Sequence, residues 1–255
     1  METIPVKDLL PIPELTAARR LLVVQPHPDD AEVGAGATVA KLARDGATIA
    51  YLTVTDGSMG TEDPAVDQAE LVRTRRREGE ESARLLGVAE TYWLGFPDGG
   101  TLDPAQVRAG ITRVVRQFKP QVLMVNDPWL PYEAHPDHRI AGLAAVEACL
   151  FSSFPHYCPE QIKEEGLAPH KVEQVALYLS AYPNTYIDVS ATWELKLEAL
   201  RRHQSQFTPE ILELLSFYLA AKAREQAQGR GFEMAKAFKV LTPTHLHCFE
   251  EAWRV

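Results

Sequence analysis

The sequence predicts an α/β fold in which a mostly parallel sheet is wrapped by helices on both faces. Three observations carry this reading. Short apolar runs bounded by turn residues recur along the chain, stretches of helical length lie between them, and the two kinds alternate. Apolar runs without a polar alternation suit strands buried on both faces, which is the situation in a parallel sheet.

The elements follow in order. Residues 20–25 (RLLVVQ) form an apolar run with no helical stripe and give the first strand. Residues 33–44 read as a helix stopped by Gly46. Residues 47–55 (ATIAYLTVT) are β-branched, lie between Gly46 and Gly57, and give a second strand. Two helices follow, at 67–86, ended by Gly87, and at 104–118, ended before Pro120. Residues 122–125 are a further strand, and a loop over 127–134 leads to a helix at 139–150. Residues 151–170 read as an irregular excursion, followed by short strands at 175–179 and 186–189 and helices within 192–228. Residues 239–249 (KVLTPTHLHCF) alternate like an edge strand with His245 and His247 on one face. With no internal repeat and no linker, one domain over 1–255 is expected.

Composition narrows the function classes. The apolar share of 45% and charged share of 24% are those of a folded globular chain. Lys+Arg 26 against Asp+Glu 35 gives a net charge of −9, the wrong sign for a general phosphate-binding surface, so nucleic acid is not an expected partner. The start, Met1 to Pro5, has neither the basic region nor the apolar run of a signal peptide, and no stretch approaches the ~20 apolar residues of a membrane span. A cytoplasmic protein with no membrane partner is expected. Cys149, Cys158 and Cys248 are odd in number and lack CxxC spacing, which reads as incidental thiols.

Two short motifs carry the chemistry. His27-Pro28-Asp29-Asp30 follows the first strand, and His135-Pro136-Asp137-His138 follows the strand at 122–125 after its loop. Each presents imidazole and carboxylate around a proline, at the end of a parallel sheet where ligands bind. Asp29 and Asp30 also suit helix N-caps, because carboxylates accept from unpaired amides and oppose the helix dipole. Adjacent carboxylates project in different directions, however, so one can coordinate an ion while the other faces water. A lone histidine in such a loop is commonly structural; two with an Asp between them, facing another His/Asp turn, favour a metal site. Three ligands of His2Asp type with an open position are a catalytic arrangement, whereas a structural site is closed by four. The same set accepts zinc, iron(II) or cobalt.

Further segments match in order. Residues 27–34 (HPDDAEVG), 55–61 (TDGSMGT), Arg75 with Glu78, 94–99 (LGFPDG), 135–138 (HPDH), and a late pattern of Lys196, His203, Ser205 and Gln206 resemble the LmbE-like/PIG-L family of metal-dependent N-deacetylases. The resemblance spans about residues 21–206. It implies a Rossmann-like fold and one divalent metal, usually Zn2+, with Fe2+ as an alternative. It implies His27, Asp30 and His138 as ligands and Asp29 as the general base. It also implies that a protonated His135, held in its charged form by Asp137, stabilises the oxyanion. Acetate and a free amino sugar would be the products.

For substrate binding, the resemblance implies Arg75, alone or paired with Glu78, and Asp98; Arg75 also reads as a surface charge in the run 73–77. Trp129 and Tyr132 read either as an apolar platform for a pyranose face or as packing residues that anchor the loop. Some family members are trimers or hexamers in which a neighbouring subunit completes the active-site rim, so a homo-oligomer is expected, with His245 and His247 facing an adjacent site or plain solvent. Gln25-Pro26, Ala37 and Ser58 depart from the family pattern without removing a ligand. The expected substrate is a small N-acetylglucosamine compound: the free sugar, diacetylchitobiose, or a malate glycoside. An amidase acting on a different amide, or a non-catalytic sugar- or metal-binding relative, are the other readings; a general base argues against the last.

Overall fold

The computed structural model describes residues 10–100 and 102–255; the Met1 to Pro5 start lies outside the described residues. Seven strands form one sheet: β1 (Arg20–Gln25), β2 (Thr48–Thr55), β3 (Glu90–Phe96), β4 (Val122–Asn126), β5 (Gln174–Tyr178), β6 (Thr185–Asp188) and β7 (Ala235–Leu241), in the order β3-β2-β1-β4-β5-β7-β6. The pairs from β3 through β5 are all parallel, and β7 runs antiparallel to both β5 and β6. The helices are α1 (Asp30–Arg44), α2 (Gln68–Leu85), α3 (Pro104–Phe118), α4 (Pro136–Phe151), α5 (Pro159–Lys163), α6 (Trp193–Leu200) and α7 (Pro209–Ala227).

The pleat of each central strand feeds two cores. Leu21 and Val23 of β1 face one core, shared with Val39 and Leu42 of α1, Leu200 of α6 and Leu219 of α7. Leu22 and Val24 face the other, shared with Ile111 and Val115 of α3 and Ala145 of α4. Both clusters are fully buried, so the sheet is covered on both sides, as its apolar runs require.

The helices expected at 33–44 and 139–150 start three residues earlier, at Asp30 and Pro136, and local chemistry explains it. Prolines are pre-shaped for the first helical position, so α4 begins at Pro136 with His135 as its N-cap, Nδ1 accepting the Asp137 amide. Asp67 and Asp103 cap α2 and α3 in the same sense, their carboxylates accepting amides of the first turn.

One strand is added and one expectation corrected. β3 has no counterpart among the apolar runs, because it is an edge strand of the sheet and stays half exposed, alternating less cleanly than its neighbours. The strand expected at 239–249 is β7, which ends at Leu241 and lies between β5 and β6 rather than at an edge; residues 242–248 turn instead. The alternation that suggested an edge lies largely in the turn, and the strand itself carries two lysines, Lys236 and Lys239. Both are buried, and Lys239 Nζ donates to the carbonyl of Trp253 at 3.2 Å.

The chain builds β1, β2 and β3 outward on one side, then returns through α3 to place β4 on the other side of β1. A crevice opens beyond the carboxyl ends of such neighbouring strands. Both His motifs begin there.

Close packing of α1 on the sheet fixes one side of that crevice. A Cβ on Gly34 would lie 2.2 Å from Cδ2 of the buried Tyr178, whose hydroxyl donates to the Val24 carbonyl. Alanine favours helix over glycine by ~1 kcal/mol, yet overpacking here costs more. Gly34→Ala is expected to destabilise the chain by about 1–3 kcal/mol in urea unfolding; a gain in stability would contradict the packing.

Candidate active site

The turn after β1 is built on Gln25. Its buried side chain accepts the Ala31 amide at 3.0 Å through Oε1 and donates to Thr53 Oγ1 at 3.0 Å through Nε2. The residue that departs from the family pattern therefore braces the motif from below. Asp29 takes a left-handed backbone, φ 131°, a conformation that costs on the order of 1–3 kcal/mol for a non-glycine residue and is concentrated at functional sites. The simple capping role fails for it, since its side chain caps no amide. Its carboxylate instead meets Arg75 Nη2 at 3.3 Å. Asp30 turns the other way, and its Oδ2 accepts the His27 amide at 2.9 Å.

Three side chains converge on one point. His27 Nδ1 lies 3.2 Å from Asp30 Oδ2 and His138 Nε2 lies 3.4 Å from Asp30 Oδ1; the candidate ligand atoms of these residues all fall within 4.8 Å of one another. Ligands at ~2.0–2.1 Å from a tetrahedral zinc are about 3.4 Å apart, so the donor set fits a divalent ion. The charges agree. Burial alone would lower the His27 pKa, but the hydrogen bonds and charges of Asp30 and Asp98 push it up to about 10. Burial would raise Asp30, and His27 with His138 hold it below the ordinary carboxylate value instead.

A second ring of groups lies against the first. His27 Nε2 faces Asp98 Oδ1 at 3.1 Å and Asp137 Oδ2 at 3.4 Å, and His135 joins them within 4.8 Å. Asp98 Oδ2 also accepts the Met59 amide at 3.3 Å and lies 3.9 Å from Arg75 Nη1; despite burial, His27 and these neighbours hold its pKa at about 2. Burial, with Asp30 next to it, raises Asp29 to about 7 against the pull of Arg75. A carboxylate near neutrality can both take and return a proton.

The expected pairing of Asp137 with a charged His135 is not what the geometry shows. The Asp137 carboxylate turns to His27 and accepts the Gly99 amide at 3.1 Å. His135 Nδ1 accepts the Asp137 amide at 3.3 Å, and burial with the charges of His27 and His138 lowers its pKa despite Asp137 and Asp98. Arg75 is no surface charge: it is buried, donating to the carbonyls of Gly57 at 2.9 Å and Pro28 at 3.1 Å. Nor does it pair with Glu78, whose carboxylate accepts the Ser205 amide and hydroxyl at 3.0 and 2.6 Å. The late pattern is thus a tie: Gln206 Nε2 donates to Gly60 O at 3.1 Å and Lys196 Nζ to Val33 O at 2.7 Å.

The aromatic residues of the loop diverge. Tyr132 is fully exposed at φ 67°. Trp129 lines a separate cavity of about 290 Å³ with Tyr182, His245 and Trp253. His245 is buried, its Nδ1 2.7 Å from Thr242 Oγ1, while His247 is exposed, so the two do not share one strand face. Residue patterns assigned no role to three contributors. Gln25 is one, and Glu133, whose carboxylate reaches both His135 and His138, is another. The third is the buried set of Glu32, Ser82 and His203, where Ser82 Oγ donates to Glu32 at 2.7 Å and His203 Nε2 lies 3.8 Å from the same carboxylate.

His27 links metal binding to pH. Below about 10 its ring carries a proton in the metal-free protein, and an incoming ion must displace it. Apparent Zn2+ affinity is expected to rise with pH, approaching tenfold per unit between pH 6.5 and 8.5 in chelator competition; a pH-independent affinity would contradict it. The same raised value stabilises the metal-free fold fully below its ordinary value of 6.5, and that stability is lost as pH rises toward 10.

Comparison with known proteins agrees with this geometry. The PIG-L family, described as GlcNAc-PI de-N-acetylase, matches residues 22–149, which contain both His motifs. Diacetylchitobiose deacetylase of Thermococcus kodakarensis is 38% identical over 229 residues, covering 90% of this chain and 85% of that protein. A probable N-acetyl-alpha-D-glucosaminyl L-malate deacetylase 2 of Bacillus anthracis is 27% identical over 78% of this chain and 87% of its own length. Among solved structures, the N,N'-diacetylchitobiose deacetylase of Pyrococcus horikoshii in complex with its inhibitor MPG superposes with a TM-score of 0.86 at 38% identity, covering 91% of this chain and 87% of that one. With its strand order, its two His motifs and these likenesses in agreement, the chain belongs to the PIG-L/LmbE family of deacetylases.

Proposed function

We propose that this protein is a Zn2+-dependent hydrolase that removes the N-acetyl group from a small N-acetylglucosamine saccharide of the diacetylchitobiose type. The single observation that carries the reading is the convergence of His27, Asp30 and His138 beside an Asp29 that caps nothing and sits near neutrality. The disaccharide rests on the 38% identity to the Thermococcus enzyme over nine-tenths of the chain.

A divalent ion held by His27, Asp30 and His138 would supply Lewis acidity toward water and the acetamide carbonyl. The chain's own groups do the rest. Asp29 accepts a proton from the attacking water, its carboxylate aimed by Arg75. His135 Nδ1 is occupied by the Asp137 amide, so the neutral ring keeps its proton on Nε2 and donates a hydrogen bond from it to the developing oxyanion. This replaces the imidazolium expected from resemblance. Asp137 serves by orienting His27. Asp29 then returns its proton to the leaving amine.

Arg75 and Asp98 form the floor against which the sugar hydroxyls would lie; among the described residues the Arg75 Nε has no hydrogen-bond partner. Of the loop aromatics, Tyr132 is the one free to meet a pyranose face, because Trp129 belongs to the other cavity. A homo-oligomer, trimer or hexamer, and a cytoplasmic location complete the proposal. The first is supported by Leu214, Phe217 and Tyr218, which leave an apolar patch exposed on α7. For the second, no helix among the described residues is long and apolar enough to cross a membrane.

The test is acetate release by Zn2+-loaded protein from N-acetylglucosamine, diacetylchitobiose and N-acetylglucosaminyl-malate. Release is expected chiefly from the disaccharide, and its absence from all three would overturn the proposal. Asp29→Asn is expected to lower kcat by at least ~10³-fold with metal still bound, in line with loss of a general base on the reaction path.

A further inference from the structure

The loop between β4 and α4 is shaped by two successive turns. The Asp127 amide donates to Tyr178 O at 2.9 Å, the Leu130 amide to Asp127 O at 3.2 Å, and the Glu133 amide to Leu130 O at 3.2 Å. Tyr132, in the left-handed region, reverses the chain at the end of the second turn, so its ring points to solvent while the next side chain turns inward. That next residue is Glu133, 19% exposed at its side chain.

Glu133 divides its carboxylate between the two histidines of the second motif. Oε1 accepts the backbone amide of His135 at 2.8 Å, and Oε2 lies 3.2 Å from His138 Nδ1. A carboxylate in this position accepts, so His138 Nδ1 carries a ring proton, and an ion bound on the other side would take Nε2 through its lone pair. That Nε2 is the atom 3.4 Å from Asp30 Oδ1, on the side of the converging ligands. His135 is also the N-cap of α4 and His138 lies in its first turn. One carboxylate therefore fixes both the start of the helix and the rotation of the ring.

We propose that Glu133 is a positioning residue of the metal centre, selecting the His138 tautomer and ring orientation that present Nε2 to the ion. The inference rests on His138 being a ligand. Outer partners of this kind are typically worth 10–100-fold in metal affinity.

The experiment measures Zn2+ affinity by competition with a chromogenic chelator for the full chain and for Glu133→Gln, Glu133→Ala and His138→Ala, with thermal unfolding of each metal-free protein alongside. Glu133→Ala is expected to weaken Zn2+ by 10–100-fold. Glu133→Gln keeps one acceptor oxygen and loses the charge, so it should fall between Glu133→Ala and the parent. His138→Ala should lose more than either. The Co2+ absorption spectrum, which reports ligand geometry directly, should shift in Glu133→Ala and stay near the parent in Glu133→Gln. Should Glu133→Ala fail to fold, Glu133→Gln alone decides. Parent-like affinity and spectrum in the Glu133 variants, with Zn2+ lost in His138→Ala, would overturn this inference alone. Parent-like affinity in His138→Ala would overturn the ligand assignment beneath it.

Discussion

His27 is the group on which the rest of the centre depends, because acids hold its ring at both nitrogens. Asp30 faces Nδ1, and Asp98 and Asp137 face Nε2. These three carboxylates come from three different parts of the chain: the start of α1, the loop after β3, and the first turn of α4. Gathering so many acids in a place that is largely closed to water is unfavourable unless a cation sits among them. In the metal-free chain a proton on His27 partly meets that need; in the proposed enzyme a divalent ion meets it better. Burial, with Asp30 beside it, raises Asp29 toward neutrality and so makes it useful as a base.

The fold positions these acids by its strand order. Because β1 and β4 are neighbours while the chain between them travels through β2 and β3, two loops far apart in sequence emerge side by side. Elements between them act as braces. Gln25 and Thr53 hold the first loop to β2, Arg75 ties it to the loop at Gly57, and the late pattern at Ser205 and Gln206 reaches back to Glu78 and Gly60.

Much of this was legible in the sequence. The strands at 20–25 and 122–125 and the helix at 104–118 follow from apolar runs and from proline and glycine punctuation, since those signals act locally. The three candidate ligands stood out because two His/Asp turns open helices at the same end of the sheet, although each residue taken alone also suits a cap or a structural role. β3 and β7 were harder: one is half exposed, and the other carries two lysines whose burial depends on contacts with remote segments. The partners of Asp137 and Arg75 were not legible for a related reason. Residue type tells what a side chain can bond to, but its partner is set by tertiary placement, and here Asp137 found His27 rather than the adjacent His135. Glu133 escaped notice, and Gln25 stood out only as a departure from the family pattern, because a glutamate in a polar loop and a glutamine at a strand end have no evident role until their partners are known.

The division of the ligands has a mechanical side. His27 and Asp30 stand at the end of β1, whereas His138 stands at the start of α4, with three of the parallel crossovers between them. An ion shared by these residues closes a very long loop in the chain, and clips of that kind restrict the unfolded ensemble most. With its ion bound, the proposed centre would do for this fold what a disulfide does for a secreted one, holding the two halves of the sheet together with a bond that a chelator, rather than a reductant, undoes.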